Sequence, residues 1–279
     1  MSVQKVNKLN RLERALPEGL LVDAQWLEKR GYYRSLRSQY VASGWLEQPA
    51  RGVFRRPRGT VSWEQAVISL QALLEFPVSI GGRTALELQG YAHYLSQSQE
   101  NVHLYSDKKL PAWISKLVID QSFVFHNRLR LLPKVDIFPN VLSLSETSQP
   151  KNESILDGAL RVTHWGQWKW PFVISTPERA ILELLDELPK NETFHLADVT
   201  MEGLVNLSPR RIQTLLEKTK SVKVKRLFFF FADRHQHRWL HHINREKIDL
   251  GKGKRMLVKG GKFDSKYQIT VPEALDGIQ

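Results

Sequence analysis

The order of secondary-structure signals near the N-terminus restricts the possible folds most strongly. An amphipathic pattern over residues 3–16 precedes a short helix that Asp23 opens and Gly31 closes, and a second helix over 33–43 precedes a hairpin that ends at Pro57. Asp is a favoured helix N-cap, and glycine readily adopts the left-handed conformation that ends a helix. Helices and hairpin in this order predict a winged helix-turn-helix domain.

Positive charge is concentrated in two blocks of the chain, whose net charge is +12. Residues 1–60 contain 12 Lys/Arg against 5 Asp/Glu, residues 61–204 contain 12 against 17, and residues 205–262 contain 16 against 4. Clustered cations release counterions when they bind a polyanion, so nucleic acid is the expected partner of such blocks. The alternative, a soluble protein that is basic throughout, is disfavoured by the clustering.

Length and composition indicate a globular protein of about two domains. The chain has 279 residues, 42% of them hydrophobic, and it has no cysteine, so disulfides and thiolate metal sites are excluded. No apolar run approaches the roughly 20 residues that a membrane helix needs, and no apolar leader is present, so we expect a cytoplasmic protein without a membrane partner. We expect an N-terminal domain over residues 1–94, with a core over 1–58 and further helices behind it, and a C-terminal domain over 95–279.

The pattern beyond the hairpin mixes helices and strands. It predicts an α+β protein, with an N-terminal winged helix-turn-helix followed by a larger mixed α/β C-terminal domain. Ser175 and Glu178 have the spacing of a capping box at a helix start. Alternation and β-branched residues predict strands over 102–105, 117–125, 129–135, 136–141 and near 267–270, and helical periodicity predicts helices over 62–76, 80–91, 175–188, 208–220 and 222–243.

Arginine is the most informative residue type of the first block, because its planar fork can bond a guanine edge at two points. In the helix over 33–43, Leu36 and Tyr40 should face the core and Arg34, Arg37 and Ser38 the groove. Cations of the hairpin and first helix would hold flanking phosphates. The alternative is a protein–protein module whose arginines lie on a solvated face. The predicted DNA-binding residues are Arg34, Arg37, Ser38, Gln39, Arg51, Arg55, Arg56, Arg58, Lys5 and Lys8.

The second basic block predicts a further surface for a polyanion. Its partner could be flanking DNA, RNA or an acidic protein, and solvated lysine faces on helices are an equal alternative. The residues that we single out for this surface, or for another activity of the C-terminal domain, are Lys223, Lys225, Arg226, Arg234, Arg238, Lys252, Lys254 and Arg255.

Metal and catalytic motifs are weak in this sequence. His237 and His241 share a helix face, but few carboxylates lie nearby, so we expect no metal site and no cofactor. The turn at Gly81-Gly82 could hold an anion on backbone N–H groups, although a plain helix start is the commoner case. Asp264 and Lys266 have a spacing that nucleases use, but no acidic partner precedes them. We therefore expect a protein that is not an enzyme, with a nucleic-acid-processing enzyme as the alternative.

Several segments resemble the AbiEi antitoxins, which are antitoxins and transcriptional autoregulators of type IV toxin-antitoxin systems that act in abortive infection. The resemblance extends over nearly the whole chain, and the set of segments in this order is more specific than any one of them. The segments that carry it are residues 44–46, 50–57, 81–90, 175–180, 221–227, 259–262 and 267–272.

This resemblance implies a role in phage defence with two activities. The N-terminal winged helix would repress the protein's own operon by binding inverted repeats in duplex DNA at the promoter. The C-terminal domain would oppose a toxin that resembles a nucleotidyltransferase, without forming a stable complex with it. Because one winged helix reads one half-site, inverted repeats call for two copies of the protein, as a dimer or as monomers that meet on DNA.

Overall fold

The computed structural model describes residues 3–91, 100–135, 142, 144, 155–156 and 159–276, and in the first helix it describes side chains from Lys8 onward. The predicted strand over 136–141 and the side chain of Lys5 lie outside this described part. The N-terminal domain consists of α1 (Val3–Ala15), β1 (Leu21–Asp23), α2 (Ala24–Lys29), α3 (Arg34–Ala42), β2 (Glu47–Ala50) and β3 (Val53–Arg55).

These elements form the predicted winged helix. The carboxylate of Asp23 accepts a hydrogen bond of 2.7 Å from the Trp26 N–H and caps α2, and Gly31, at φ +83°, turns the chain toward α3. The strands form an antiparallel sheet in the order β1-β3-β2. β1 was not predicted from the sequence.

A helix with two geometries connects the winged helix to the rest of the protein. α4 (Trp63–Ile68) starts with a capping box and continues as a π-helical turn (Ser69–Leu73). The Ser69 hydroxyl accepts a hydrogen bond of 2.7 Å from the Leu21 N–H and donates one of 2.6 Å to the Gln65 carbonyl. This buried contact fixes the winged-helix sheet against α4.

A six-stranded mixed sheet forms the centre of the larger domain. Its order is β6-β5-β4-β9-β8-β7, and β4 pairs antiparallel with β5 and parallel with β9. One of the two central strands therefore precedes residue 94, and the domain boundary expected there stays a prediction. The strands are β4 (Val78–Ile80), β5 (Asn101–Ser106), β6 (Ser122–Asn127), β7 (Ile155–Leu156), β8 (Leu160–Trp165) and β9 (Trp170–Ser175).

Helices pack on this sheet and a short hairpin follows them. The predicted strand over 129–135 is wrong, since a 3-10 turn (Arg128–Arg130) begins there, and the predicted helix over 222–243 ends early because Gln236 is left-handed at φ +46°. The remaining elements are α5 (Gly82–Leu88), α6 (Pro177–Glu187), α7 (Phe194–Gly203), α8 (Pro209–Lys218), α9 (Val222–His235), β10 (Lys262–Asp264) and β11 (Ile269–Val271).

The turn at Gly81-Gly82 does hold an anion, and the anion is the side chain of Glu183. This carboxylate accepts hydrogen bonds from the Gly82 N–H at 2.9 Å, the Ser175 hydroxyl at 2.8 Å and Arg179 Nε at 2.7 Å. A Cβ atom on Gly81 would lie 2.2 Å from Glu183 Oε2, so the position requires glycine. The predicted capping box is wrong, because Ser175 bonds to Glu183 instead.

Four titratable side chains form a continuous chain of contacts where β5 and β6 meet the end of α6. His126 Nδ1 lies 3.0 Å from Glu187 Oε1, His126 Nε2 lies 3.0 Å from His103 Nδ1, and His103 Nε2 lies 3.5 Å from Glu192 Oε1. The two imidazole rings are stacked. These contacts connect the edge of the sheet to the segment that follows α6.

The protonation states in this chain follow from its geometry. Burial, with His126 nearby, lowers the pKa of His103 to about 4, so its ring is neutral near pH 7. Although burial opposes it, hydrogen bonds from His126 and Asn191 lower the pKa of Glu187 to about 2. A neutral imidazole donates at one nitrogen and accepts at the other. Burial also raises the pKa of Glu192, beside His103, to about 7, so this carboxyl group is protonated below that pH.

Candidate nucleic-acid interface

One face of α3 is open to solvent and carries polar side chains. Arg34, Ser38 and Gln39 are exposed, whereas Tyr40 packs into the domain. Within the described residues, Arg34 has no ion-pair partner. An arginine that is held by nothing else on an exposed helix can enter a major groove and bond a base edge.

Arg37 does not lie on that face, in contrast to the prediction that its side chain points toward the groove. Its side chain is buried, and its Nη1 atom donates hydrogen bonds of 2.9 Å to the Glu28 carboxylate and 2.9 Å to the Tyr32 carbonyl. The guanidinium also lies 5.7 Å from the centroid of the Phe54 ring. Arg37 therefore holds α3 against α2, because Glu28 lies within reach of its guanidinium.

Two arginines of the wing also form hydrogen bonds within the fold, so they are not free to contact DNA as predicted. Arg55 is buried, and it donates hydrogen bonds to Glu47 at 2.7 Å and to the Gly59 carbonyl at 2.5 Å. Arg56 donates to Glu18 at 3.0 Å and to the Leu16 carbonyl at 3.3 Å. Each would have to break these contacts before it could hold a phosphate.

Arg58 contacts the C-terminal domain. Its guanidinium lies 5.3 Å from the ring centroid of Trp168, in the turn between β8 and β9. Arg58 also lies beside Gly19, in the turn that precedes β1. The contact places this arginine between the two domains rather than at the tip of the wing.

Further exposed cations lie at the tip of the wing, on α1 and in the turn before α3. Arg51 is exposed beside Gly52, which turns the wing at φ +80°. Lys8 is exposed, with its ammonium 3.4 Å from the Gly31 carbonyl. Sequence reasoning missed Arg30, which is exposed and lies 3.7 Å from the Trp26 ring centroid, and Tyr33, which is 65% exposed. Their position around Gly31, just before α3, was the available signal.

Several cations of the second block stabilise the fold instead of forming a surface, so their expected exposure is wrong. Lys225 and Arg226 are buried on α9. Lys223 donates to the Leu188 carbonyl at 2.9 Å and lies 3.5 Å from the Asp186 carboxylate. Burial lowers the pKa of Lys223, with Asp186 acting in the opposite direction. The sequence pattern of α9 did not distinguish these residues from solvated lysines.

The rest of the second block is solvent-exposed. Arg234 donates to Asp198 at 3.1 Å and to the Leu275 carbonyl at 2.9 Å, so it is exposed but engaged. Of the cations predicted for this surface, Arg238 and, in the segment before β10, Lys252, Lys254 and Arg255 lie on the open surface.

Two histidines of this region, His235 and His237, have partners within the protein. His235 Nε2 lies 2.8 Å from Asp198, and His237 Nε2 lies 2.8 Å from the Met201 carbonyl. In the described ranges, no group of three or more His, Asp or Glu side chains is arranged to hold a metal ion.

Asp264 and Lys266 do not converge on a common point. Asp264 accepts a hydrogen bond of 2.7 Å from the Tyr267 N–H, whereas Lys266 forms an ion pair with Asp233. Burial opposes ionisation of Asp233, yet hydrogen bonds from Arg245, Lys266 and Tyr267 lower its pKa to about 2. These contacts give both residues a structural role.

None of the helices that the structure describes is both long and apolar enough to cross a membrane.

The N-terminal fold places the protein in the class of winged-helix proteins. A family model described as "Transcriptional regulator, AbiEi antitoxin N-terminal domain" matches residues 5–97, and one described as "Transcriptional regulator, AbiEi antitoxin, Type IV TA system" matches residues 99–272. The chain therefore belongs to the AbiEi family of transcriptional regulators and antitoxins of type IV toxin-antitoxin systems. This confirms the family that the sequence resembled.

A solved structure supports the fold. The structure described as "Crystal structure of RV2827C protein from Mycobacterium tuberculosis" superposes with a TM-score of 0.55 over 96% of this chain and 91% of that chain, at 16% identity. At this identity the likeness shows the arrangement of elements and not the activity. No curated protein matches the chain.

Proposed function

We propose that the protein represses its own operon through duplex DNA contacts of the winged helix and counteracts a nucleotidyltransferase-like toxin. The observation that carries the DNA-binding half is the open face of α3, where Arg34, Ser38 and Gln39 are exposed and Arg34 is not held by any described carboxylate. Arg34 would bond a base edge, and the two polar side chains would complete the contact in the groove.

Phosphate contacts would flank this helix on both sides. Arg51 lies at the tip of the wing, and Lys8 and Arg30 lie near the turn that precedes α3. Cations in these positions set the register of a winged helix on the duplex and make its affinity depend on salt. A promoter with inverted repeats would take two copies of the protein, one on each half-site.

The antitoxin half of the proposal rests on the family to which the chain belongs. We propose that the C-terminal domain opposes the toxin without a stable complex, and that exposed residues of this domain, such as Lys252, Lys254 and Arg255, contribute to the effect. Arg226 of α9 would act only by keeping the domain folded, because main-chain carbonyls already hold its buried guanidinium.

A promoter–reporter fusion in cells that also carry the toxin tests both halves. Arg34→Ala combined with Arg51→Ala should relieve repression and leave protection from the toxin intact, because both residues lie in the winged helix. Lys108→Ala combined with Lys109→Ala removes the same charge from exposed positions elsewhere and is the matched control. Full repression by the Arg34/Arg51 variant would contradict the proposed DNA-binding face.

A further inference from the structure

The segment between Asp249 and Asp264 concentrates exposed cations in a short stretch of the chain. It contains five Lys/Arg and no carboxylate. The side chains of these cations are exposed: Lys252, Lys254, Arg255, Lys259 and Lys262. Like charges this close repel one another, so the arrangement is stable only where the fold enforces it or a polyanion neutralises it.

The fold does enforce it, through the buried guanidinium of Arg226. This group donates hydrogen bonds to the carbonyls of Leu250 at 2.7 Å, Gly253 at 2.7 Å, Gly251 at 3.1 Å and Gln268 at 3.3 Å. Its partners in the described structure are main-chain carbonyls. A sixth cation therefore lies beneath the five exposed ones, and it fixes the path of the main chain that carries them.

Further main-chain contacts hold the same segment against β11. The Arg255 N–H donates to the Gln268 carbonyl at 2.9 Å, and the Leu257 N–H donates to the Thr270 hydroxyl at 2.8 Å. A Cβ atom on Gly261 would lie 2.3 Å from the Val271 carbonyl oxygen, so the segment can approach β11 only with glycine at that position. The cations are thus displayed on an ordered support rather than on a free loop.

Apolar side chains are exposed among these cations. Phe263 is 41% exposed and Met256 is 73% exposed. The ammonium of Lys254 lies 5.1 Å from the centroid of the Phe263 ring. A ligand that places a phosphate on Lys254 would therefore bring its neighbouring groups to the aromatic ring.

The composition of this surface fits nucleic acid better than a protein. The cores of protein interfaces are depleted of charge, whereas nucleic-acid interfaces are wet and strongly positive. An aromatic ring among cations is useful when bases are unstacked, because a free base can lie against the ring while its phosphates bind the cations. A duplex keeps its bases stacked and would use the cations alone.

We propose that residues 250–263 form a second nucleic-acid site, distinct from the winged helix, which binds single-stranded RNA or DNA through phosphate contacts to Lys252, Lys254 and Arg255 and base stacking on Phe263. The site is independent of the proposed repressor function, because it uses neither α3 nor the wing.

Fluorescence anisotropy of full-length protein with labelled oligouridine and oligothymidine of about twelve nucleotides tests the site. The parent protein carries Arg34→Ala and Arg51→Ala, so that the winged helix contributes little. Lys252→Glu combined with Lys254→Glu should weaken binding at least tenfold and flatten its salt dependence. Lys108→Glu combined with Lys109→Glu reverses the same charge at exposed positions elsewhere. This control should change the affinity for the oligonucleotides by less than about threefold.

Phe263→Ala should weaken binding about tenfold at an unchanged salt dependence, since it removes stacking and no charge. Phe125→Ala is its matched control, because Phe125 is also 41% exposed and lies on β6. Equal losses in the target and control variants would overturn the proposal. The absence of single-strand binding would also overturn the proposal. If Lys252→Glu combined with Lys254→Glu abolished protection from the toxin in that case, the surface would be assigned to an acidic protein.

Discussion

Replacing Glu192 with Gln should change the way in which the stability of the fold depends on pH. Glu192 ends the chain of contacts that Glu187, His126 and His103 form, and burial raises the pKa of its carboxyl group. A Gln side chain keeps the shape of the protonated acid and can donate a hydrogen to His103, but it does not titrate.

The magnitude follows from the pKa of Glu192, which burial raises from 4.5 to about 7 although Arg83 acts in the opposite direction. Between these values the folded protein holds a proton that the unfolded chain has released, so this carboxyl group makes stability fall as pH rises. At about 1.36 kcal/mol per pKa unit, the loss is about 3 kcal/mol. His103 acts in the opposite sense, because its lowered pKa makes stability fall as the solution is acidified.

The assay is the free energy of unfolding in urea, measured for the parent and for Glu192→Gln from about pH 4.5 to about pH 8. His103 and Glu187 titrate in both proteins and largely cancel in the difference. The stability of the variant relative to the parent should rise by about 3 kcal/mol across this range. Glu202→Gln makes the same substitution at an exposed position and is the control. A flat difference for Glu192→Gln would refute the assigned proton.

Three further substitutions test the internal contacts, each by urea unfolding. Arg226→Met should lower stability by about 3 kcal/mol, since hydrogen bonds to a charged group contribute about 1.5–3 kcal/mol each, and an unchanged midpoint would contradict the clamp. Gly81→Ala should cost several kcal/mol or prevent folding, because its Cβ would collide with Glu183; normal stability would show that the turn relaxes. Arg37→Met should lower stability by about 2 kcal/mol through the loss of Glu28, in contrast to Arg34→Ala, which should leave it unchanged.

The winged helix was predictable because its determinants are local. Asp23 caps α2 three residues from its N–H partner, and Gly31 and Gly52 supply left-handed turns at the positions where the pattern required them. Each of these signals lies within a few residues of the element that it shapes. The sequence resemblance added the family, which no local signal contains.

The orientation of the arginines was not predictable, because it depends on contacts between distant residues. Arg37 has the helical position of a groove residue, but Glu28 on another helix draws it inward. Arg226 lies in a lysine-rich stretch, and the carbonyls that bury it come from residues 24 or more positions later. A single sequence does not show which cation meets a partner of this kind.

The six-stranded sheet was incomplete in the prediction for a similar reason. β4 has only three residues, too few for alternation to stand out from its neighbours. Its place is set by pairing with distant strands, as in the contact between Ile80 and Ile174. β1 is equally short and is defined by its pairing with β3, where Leu21 lies opposite Arg55.

The most direct test of the account is the affinity of the full-length protein for the DNA upstream of its own gene, measured by anisotropy at two salt concentrations beside a scrambled duplex. The account predicts a strong preference for the native sequence, which Arg34→Ala should reduce by about 5- to 150-fold without loss of folding stability. Equal and steeply salt-sensitive binding of both duplexes, unchanged by Arg34→Ala, would contradict it.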